Sequence, residues 1–181
     1  MNQASTSSAA RTLRGRVWKF GDQVCGDDGI IEFAAVRDGF GKPFDVESLR
    51  QMCFRKLRPE FPSEVRPGDI VVGGANFAHH NHVEVSVALK ASGISAVLVE
   101  SCESGFIRRA MSQGLPVLLV PGITRVVEDG DVISVTPATG KIELADGRVI
   151  DSPPFSPQMV QIWEAGGLVN ALAAEFAASR S

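Results

Sequence analysis

The 181-residue sequence contains no tyrosine, only three cysteines, and no long run of charged or apolar residues. The absence of tyrosine removes one of the side chains that transfer protons in enzymes. Cys25, Cys53 and Cys102 lie far apart and form no C-x-x-C pair. This chain alone is therefore a poor candidate for a disulfide framework, a cysteine-based zinc site or an iron–sulfur cluster. The scattered cysteines favour a reducing compartment, and we expect a cytoplasmic protein.

Charge is nearly balanced, with 18 basic against 21 acidic side chains and a formal net charge of −3 at pH 7. This balance disfavours binding to nucleic acid or to an anionic membrane. No apolar segment approaches the roughly 20 residues that a transmembrane helix needs. The polar N-terminus lacks the apolar centre of a signal peptide. We expect residues 1–12 to form a disordered lead-in, and residues 13–181 to form one domain around a single core.

The middle of the sequence alternates between apolar segments and segments of helical periodicity. Continuous apolar residues predict three buried strands, at 69–73, 96–100 and 116–120. Helical spacing predicts two intervening helices, over 84–92 and around 106–111. This alternation is typical of an α/β fold whose parallel sheet is built with right-handed crossovers and flanked by helices.

The flanking regions complete the predicted fold. Before the parallel strands, the patterns predict strands at 15–20 and 30–33, and a helix over 46–57 that begins after Asp45 as N-cap. After them, Asp-Gly and Thr-Gly turns predict a hairpin-rich antiparallel patch with strands at 132–136, 141–144 and 148–151. A final helical segment begins after Ser156, breaks at Gly166-Gly167 and continues to residue 178.

All three histidines of the chain, His79, His80 and His82, lie between Asn76 and Glu84. This segment joins a predicted strand to a predicted helix, where loops at the carboxyl ends of parallel strands form ligand crevices. Imidazole is a suitable base near pH 7. The same histidines are also able to share a metal ion with Glu84, or simply to hydrogen-bond to the backbone. The segment is thus the main candidate site, with its chemistry open.

Charged residues in two nearby loops are further candidates. A turn-rich loop ends in an Asp-Asp pair that includes Asp28, and its carboxylates could orient a partner's arginine or accept backbone N–H groups. Arg37 and Lys42 follow in the next loop, and they could bind an acidic substrate. Arg108 and Arg109 lie on a predicted helix, and we expect them to be surface groups.

Short motifs, taken in order from about residue 15 to residue 176, resemble the small subunit of 3-isopropylmalate dehydratase, the swivel domain of the aconitase superfamily. The motifs that carry this resemblance are a G-D…D-D loop at 21–28, LRPEFP at 57–62, PGDIVV at 67–72, GANF at 74–77, ALKASGI at 88–94, GLPV at 114–117 and EAGGL at 164–168. No single motif is decisive, but the ordered set is specific.

The resemblance implies a swivelling β/β/α domain that caps a large subunit carrying a [4Fe–4S] cluster. The expected activity is that of a hydro-lyase and isomerase, active only in this heterodimer. It converts 2-isopropylmalate to 3-isopropylmalate in leucine biosynthesis, or acts on a related branched hydroxy-dicarboxylic acid. The cluster belongs to the partner, which agrees with the scarcity of cysteine here. We also expect the isolated chain to self-associate weakly, because the surface facing its partner is uncovered.

The chain departs from the family where the family continues G-C-G-S-S-R-E-H after N-F. In the direct register, Asn81 and His82 occupy the serine positions, Val83 the arginine position, and Glu84 is retained; a shift by one residue would place a histidine at the arginine position. The resemblance, together with the polar loops, indicates catalytic candidates His82, His80 and Asn81, and substrate-binding candidates Asn76, His79, Glu84, Arg37 and Asp28. No metal site is expected in this chain. The alternative is a non-catalytic paralogue that docks a large subunit as a binding or regulatory module.

Overall fold

The computed structural model describes residues 10–36 and 42–180. Its strands, in chain order, are β1 (Leu13–Lys19), β2 (Ile70–Gly73), β3 (Ala96–Val99), β4 (Val117–Leu119), β5 (Val132–Thr136), β6 (Lys141–Glu143) and β7 (Val149–Asp151). They form one seven-stranded sheet in the order β4-β3-β2-β1-β5-β6-β7. The β1 to β4 half is parallel and the β5 to β7 half is antiparallel. The predicted α/β class, with a partly parallel sheet and an antiparallel patch, is confirmed.

Four of the helices lie close to predicted segments, the first helix ends earlier than predicted, and the short second helix was not predicted. The helices are α1 (Val46–Met52), α2 (Phe61–Glu64), α3 (Val83–Ala91), α4 (Ser104–Ser112), α5 (Pro157–Glu164) and α6 (Leu168–Ala178). Asp45 caps α1 by accepting the backbone N–H of Ser48, and Ser156 caps α5 by accepting that of Met159. These side chains satisfy backbone donors that have no partner within the first helical turn.

Two predicted elements differ from the structure. The strand predicted at 30–33 is wrong, because residues Gly26–Ile30 form a π-helical turn and Phe33–Ala35 a 3-10 turn. Ile30 and Ile31 are nonetheless fully buried. A short apolar segment can therefore contribute to the core from a turn, without forming a strand. The first helix ends at Met52 rather than at residue 57, since Phe54 adopts a left-handed φ of 52° that helical backbone excludes.

Alternate strand residues feed two hydrophobic cores on opposite faces of the sheet. Val71 and Val97 contribute to the core beneath α1 and α3. Ile70 and Leu98 contribute to the core beneath α5. Because the parallel strands are covered on both faces, their carboxyl ends are the edge at which loops remain free to build a site.

The N-terminal boundary of the sheet is Leu13. Arg11 lies over the ring of Trp163, 5.0 Å from its centroid, and Thr12 hydrogen-bonds Thr136. The disordered lead-in over 1–12 and the single domain over 13–181 stay predictions, and residues 1–9 lie outside the described residues. No helix within 10–36 and 42–180 is long and apolar enough to span a membrane.

Candidate active site

The histidine-rich loop, residues 74–82, lies at the carboxyl edge of the parallel strands. It follows β2 and lies between the loops that follow β1 and β3. The backbone N–H of Gly26 donates to His79 O at 2.8 Å on one side, and that of Phe77 donates to Ser101 O at 3.0 Å on the other. Parallel pairing therefore continues beyond the strand ends and fixes the histidine-rich loop from both sides.

This loop contains three residues with left-handed backbone. Asn76, Ala78 and His80 have φ values of 52°, 54° and 47°, a region that costs a non-glycine residue about 1–2 kcal/mol. Hydrogen bonds hold this conformation: the Asn76 side-chain amide donates to Gln23 Oε1 at 2.8 Å, and its backbone N–H donates to Ser101 Oγ at 2.9 Å. Backbone strain of this kind concentrates at functional sites.

His82 is paired with Asp27. Its ring Nδ1 lies 2.7 Å from Asp27 Oδ2, and its backbone N–H donates to Asp27 Oδ1 at 3.1 Å. The ring stacks on Phe33, with 3.9 Å between centroids and 2° between planes. A carboxylate can only accept, so Nδ1 carries the hydrogen, and in the neutral ring the basic lone pair lies on Nε2. The His82 side chain is 46% exposed, so Asp27 and Phe33 orient a ring that is partly open to solvent.

The other predicted catalytic residues play different parts. His80 is exposed, and its ring lies edge-on to that of His79, with centroids 5.2 Å apart. His79 is half-buried and donates its Nδ1–H to Asn76 O at 3.1 Å. Asn81 is buried, donating from its amide to Ala78 O at 2.8 Å and accepting from Arg109 Nη1 at 3.1 Å. Asn81 thus links the loop to α4.

Glu84 lies in the first turn of α3 and is only 6% exposed. No described residue donates a hydrogen bond to its Oε2. The side chain lines a cavity of about 490 Å³ together with Val36, Leu49 and Met52. Its carboxylate is placed where the positive end of the helix dipole favours negative charge.

The remaining predicted binding residues are Asp28 and Arg37. Asp28 is exposed and forms an ion pair with Lys56, with 2.6 Å between Oδ1 and Nζ. Arg37 lies outside the described residues. Sequence reasoning singled out Asp28 and missed Asp27, although both belong to the family's G-D…D-D loop. It also placed Arg109 at the surface, whereas the structure brings Arg109 to Asn81.

Neither metal binding nor cysteine chemistry gains support from the geometry. Within the described ranges, no three His, Cys, Asp or Glu side chains converge so as to hold a metal ion. Burial raises the pKa of Cys53 to about 12 and that of Cys102 to about 11. Both thiols are therefore protonated near neutral pH and are poor nucleophiles.

Known proteins similar to this chain cover nearly its whole length. The isopropylmalate/citramalate isomerase small subunit of Methanocaldococcus jannaschii is 38% identical over 170 residues, 93% of this chain and 98% of that protein. The 3-isopropylmalate dehydratase small subunit of Halothermothrix orenii is 36% identical over 159 residues, 87% of this chain and 93% of that one. The methanogen homoaconitase small subunit of Methanothermobacter thermautotrophicus is 38% identical over 160 residues, 87% and 89% of the two chains.

The structural comparison agrees with these sequence matches. The crystal structure of a 3-isopropylmalate dehydratase from Methanocaldococcus jannaschii superimposes with a TM-score of 0.83 at 28% identity, covering 94% of this chain and 98% of that one. No family model matches the sequence. The resemblance inferred from the ordered motifs is confirmed, and the chain belongs to the 3-isopropylmalate dehydratase small-subunit family.

Proposed function

We propose that this chain is the small subunit of a heteromeric dehydratase and isomerase that converts 2-isopropylmalate to 3-isopropylmalate in leucine biosynthesis, or that acts on a closely related hydroxy-dicarboxylic acid. Family membership supports the reaction class. The observation that carries the proposal for this particular chain is the Asp27–His82 pair, because it supplies a base in a loop that lacks the family's serine.

The proposed role of His82 is to take the proton from the substrate carbon next to the hydroxyl-bearing carbon. The C–H electron pair then forms a carbon–carbon double bond as the hydroxyl leaves. Rehydration returns the proton and adds the hydroxyl with their positions exchanged. Asp27 holds the Nδ1–H and stabilises the imidazolium that forms, which is the role of a carboxylate behind a catalytic histidine.

We propose that a [4Fe–4S] cluster resides in the large subunit. The described cysteines do not converge on a common site, so the residues of this chain do not fit such a group. When bound in the partner, the cluster would act as a Lewis acid on the departing hydroxyl. The contribution of this chain is confined to proton transfer and to substrate binding.

The proposed partner is therefore the large subunit, which would cover the exposed His80 and the half-exposed His82 at the loop edge. In the heterodimer, the partner would close this open edge over His82, the proposed base. We also propose a cytoplasmic location, supported by the three free cysteines, since reduced thiols persist in the cytosol.

The first test is anaerobic reconstitution with the large subunit encoded nearest to this chain. The complex is assayed with 2-isopropylmalate, citramalate and malate, by the ultraviolet absorbance of the unsaturated product. Turnover of 2-isopropylmalate supports the proposal with this substrate, while turnover of only another acid assigns that acid as the substrate. A stable complex without turnover of any acid would contradict it and favour the non-catalytic docking module.

The role of His82 is tested by His82→Gln, which keeps a polar side chain but removes the base. We expect kcat to fall at least about 100-fold, the usual contribution of a general base. His80→Gln is the matched control, because His80 is an exposed histidine of the same loop. Equal kcat values for the two variants would remove His82 from proton transfer.

A further inference from the structure

A substrate with two carboxylates needs a cation near the base, and the histidine-rich loop contains none. The family's arginine position is occupied by Val83 in the direct register. Among the described cations of the neighbouring loops, Lys56 pairs with Asp28 at 2.6 Å and Arg55 pairs with Glu32 at 2.7 Å. Lys42 lines the cavity that Glu84 also lines. These pairings leave room for a cation supplied by another element of the fold.

Arg109 reaches the loop from α4. Its Nη1 donates to Asn81 Oδ1 at 3.1 Å, and Asn81 is the residue directly before His82. Asn81 is only 7% exposed and is itself fixed by its bond to Ala78 O. Among the residues that the structure describes, no carboxylate pairs with Arg109. One edge of the guanidinium is thus anchored, and other N–H donors remain for an anion.

The sequence of α4 makes room for this position of the arginine. Long helical side chains point back toward the N-terminus of their helix, so Arg109 lies over Gly105, one turn earlier. A Cβ atom at Gly105 would lie 2.7 Å from Arg109 Nη1, closer than real contacts allow. Because α4 begins just after β3 ends, this direction leads toward the carboxyl edge of the sheet, where His82 lies.

We infer that Arg109 binds a substrate carboxylate in place of the arginine that the histidine-rich loop lacks. This inference rests on the proposed function and names the residue that would hold the anionic substrate. Asn81 acts as the positioning residue, because it binds the guanidinium and directly precedes His82 in the chain. A planar guanidinium that is anchored through one nitrogen is well suited to bidentate binding of a carboxylate.

Two substitutions at Arg109 separate substrate binding from simple support of the loop. Arg109→Gln keeps an N–H donor for Asn81 but removes the charge, whereas Arg109→Lys keeps the charge. Arg108→Gln is the matched control, because Arg108 is the adjacent, exposed arginine of the same helix. Each variant is assembled with the large subunit, and its melting temperature is measured to show that the complex is folded.

The readouts are KM for 2-isopropylmalate and calorimetric Kd for succinate, a dicarboxylate that cannot be dehydrated. For Arg109→Gln we expect both constants to rise at least about tenfold, as for loss of a charge-assisted contact. Arg109→Lys should restore part of the loss, and Arg108→Gln should change neither constant by more than about twofold. Arg109→Gln constants within twofold of wild type would overturn the inference.

The calorimetric measurement keeps this test separate from the test of the proposed function. If the wild-type complex turns over no acid but binds succinate, the proposed reaction fails, while the Arg109→Gln value of Kd still decides the carboxylate site. Absence of succinate binding to the wild-type complex would also overturn the inference. Equal losses in Arg108→Gln and Arg109→Gln would point to a general effect of surface charge, and would count against a specific site.

Discussion

The Asp27–His82 pair predicts a large catalytic effect from a small chemical change. In Asp27→Asn, the asparagine carbonyl still accepts the backbone N–H of His82. Its amide group, however, would face His82 Nδ1 with a donor where the carboxylate was an acceptor. The ring must then carry its hydrogen on Nε2, so the nitrogen that should take the substrate proton is already protonated.

The size of this effect follows from the geometry. The 2.7 Å contact between Nδ1 and Oδ2 is a short bond to a carboxylate that is only 19% exposed. Loss of the correct tautomer removes general-base catalysis, which contributes about 100- to 10,000-fold to a rate. The cost to folding is smaller, about 1 kcal/mol, because the half-exposed His82 ring is screened by water.

The assay is the steady-state kcat of the reconstituted complex, with the free energy of unfolding of each small subunit measured in urea. Asp28→Asn is the control, since Asp28 is the adjacent aspartate and is 72% exposed in its pair with Lys56. In a His82→Gln background, Asp27→Asn should change kcat by less than about threefold, because the two residues act as a unit. Independent, multiplying effects of the two substitutions would refute the reasoning.

Two further predictions concern stability and reactivity. Burial alone would raise the pKa of Asp69, but hydrogen bonds from Arg16, Trp18 and the backbone of Arg66 outweigh it and hold that pKa below its usual 3.8. The ionised Asp69 therefore stabilises the fold above its unfolded-state pKa, and this contribution is lost as the pH falls through the folded-state pKa. Asp69→Asn should therefore lower the free energy of unfolding at neutral pH by about 1–3 kcal/mol, and a difference in urea unfolding that persists undiminished in acid would contradict this. Because burial raises the pKa of Cys53 to about 12, we expect this thiol to react with Ellman's reagent only after denaturation, and rapid labelling of the native protein would show the opposite.

The sequence patterns predicted most of the sheet, for a clear physical reason. Strands such as Ile70–Gly73 and Ala96–Val99 are buried on both faces, so each is a continuous apolar segment between turns. Residues 30–33 are apolar except for Glu32, but they belong to turns after β1. A segment of four residues does not contain enough of a period to distinguish these cases.

The candidate site was predictable in location but only partly in its members. His82 was identified because all three histidines fall in one loop. Asp27 and Asp28 are adjacent and chemically identical, and only the fold shows that Asp27 meets His82 while Asp28 turns to Lys56. The contact between Arg109 and Asn81 joins residues 28 positions apart, and no local pattern could signal it.

The left-handed backbone at Asn76, Ala78 and His80 is already formed in the folded protein, so the conformational entropy of the loop is lost on folding and not on substrate binding. Hydrogen bonds from the flanking loops hold this shape. Ordering a flexible loop at the moment of binding would cost about 1–2 kcal/mol per residue and weaken every encounter with substrate. In this protein the loop is ordered during folding and is therefore pre-organised for substrate. Its backbone strain lowers the free energy of unfolding of the protein, and not its affinity for substrate.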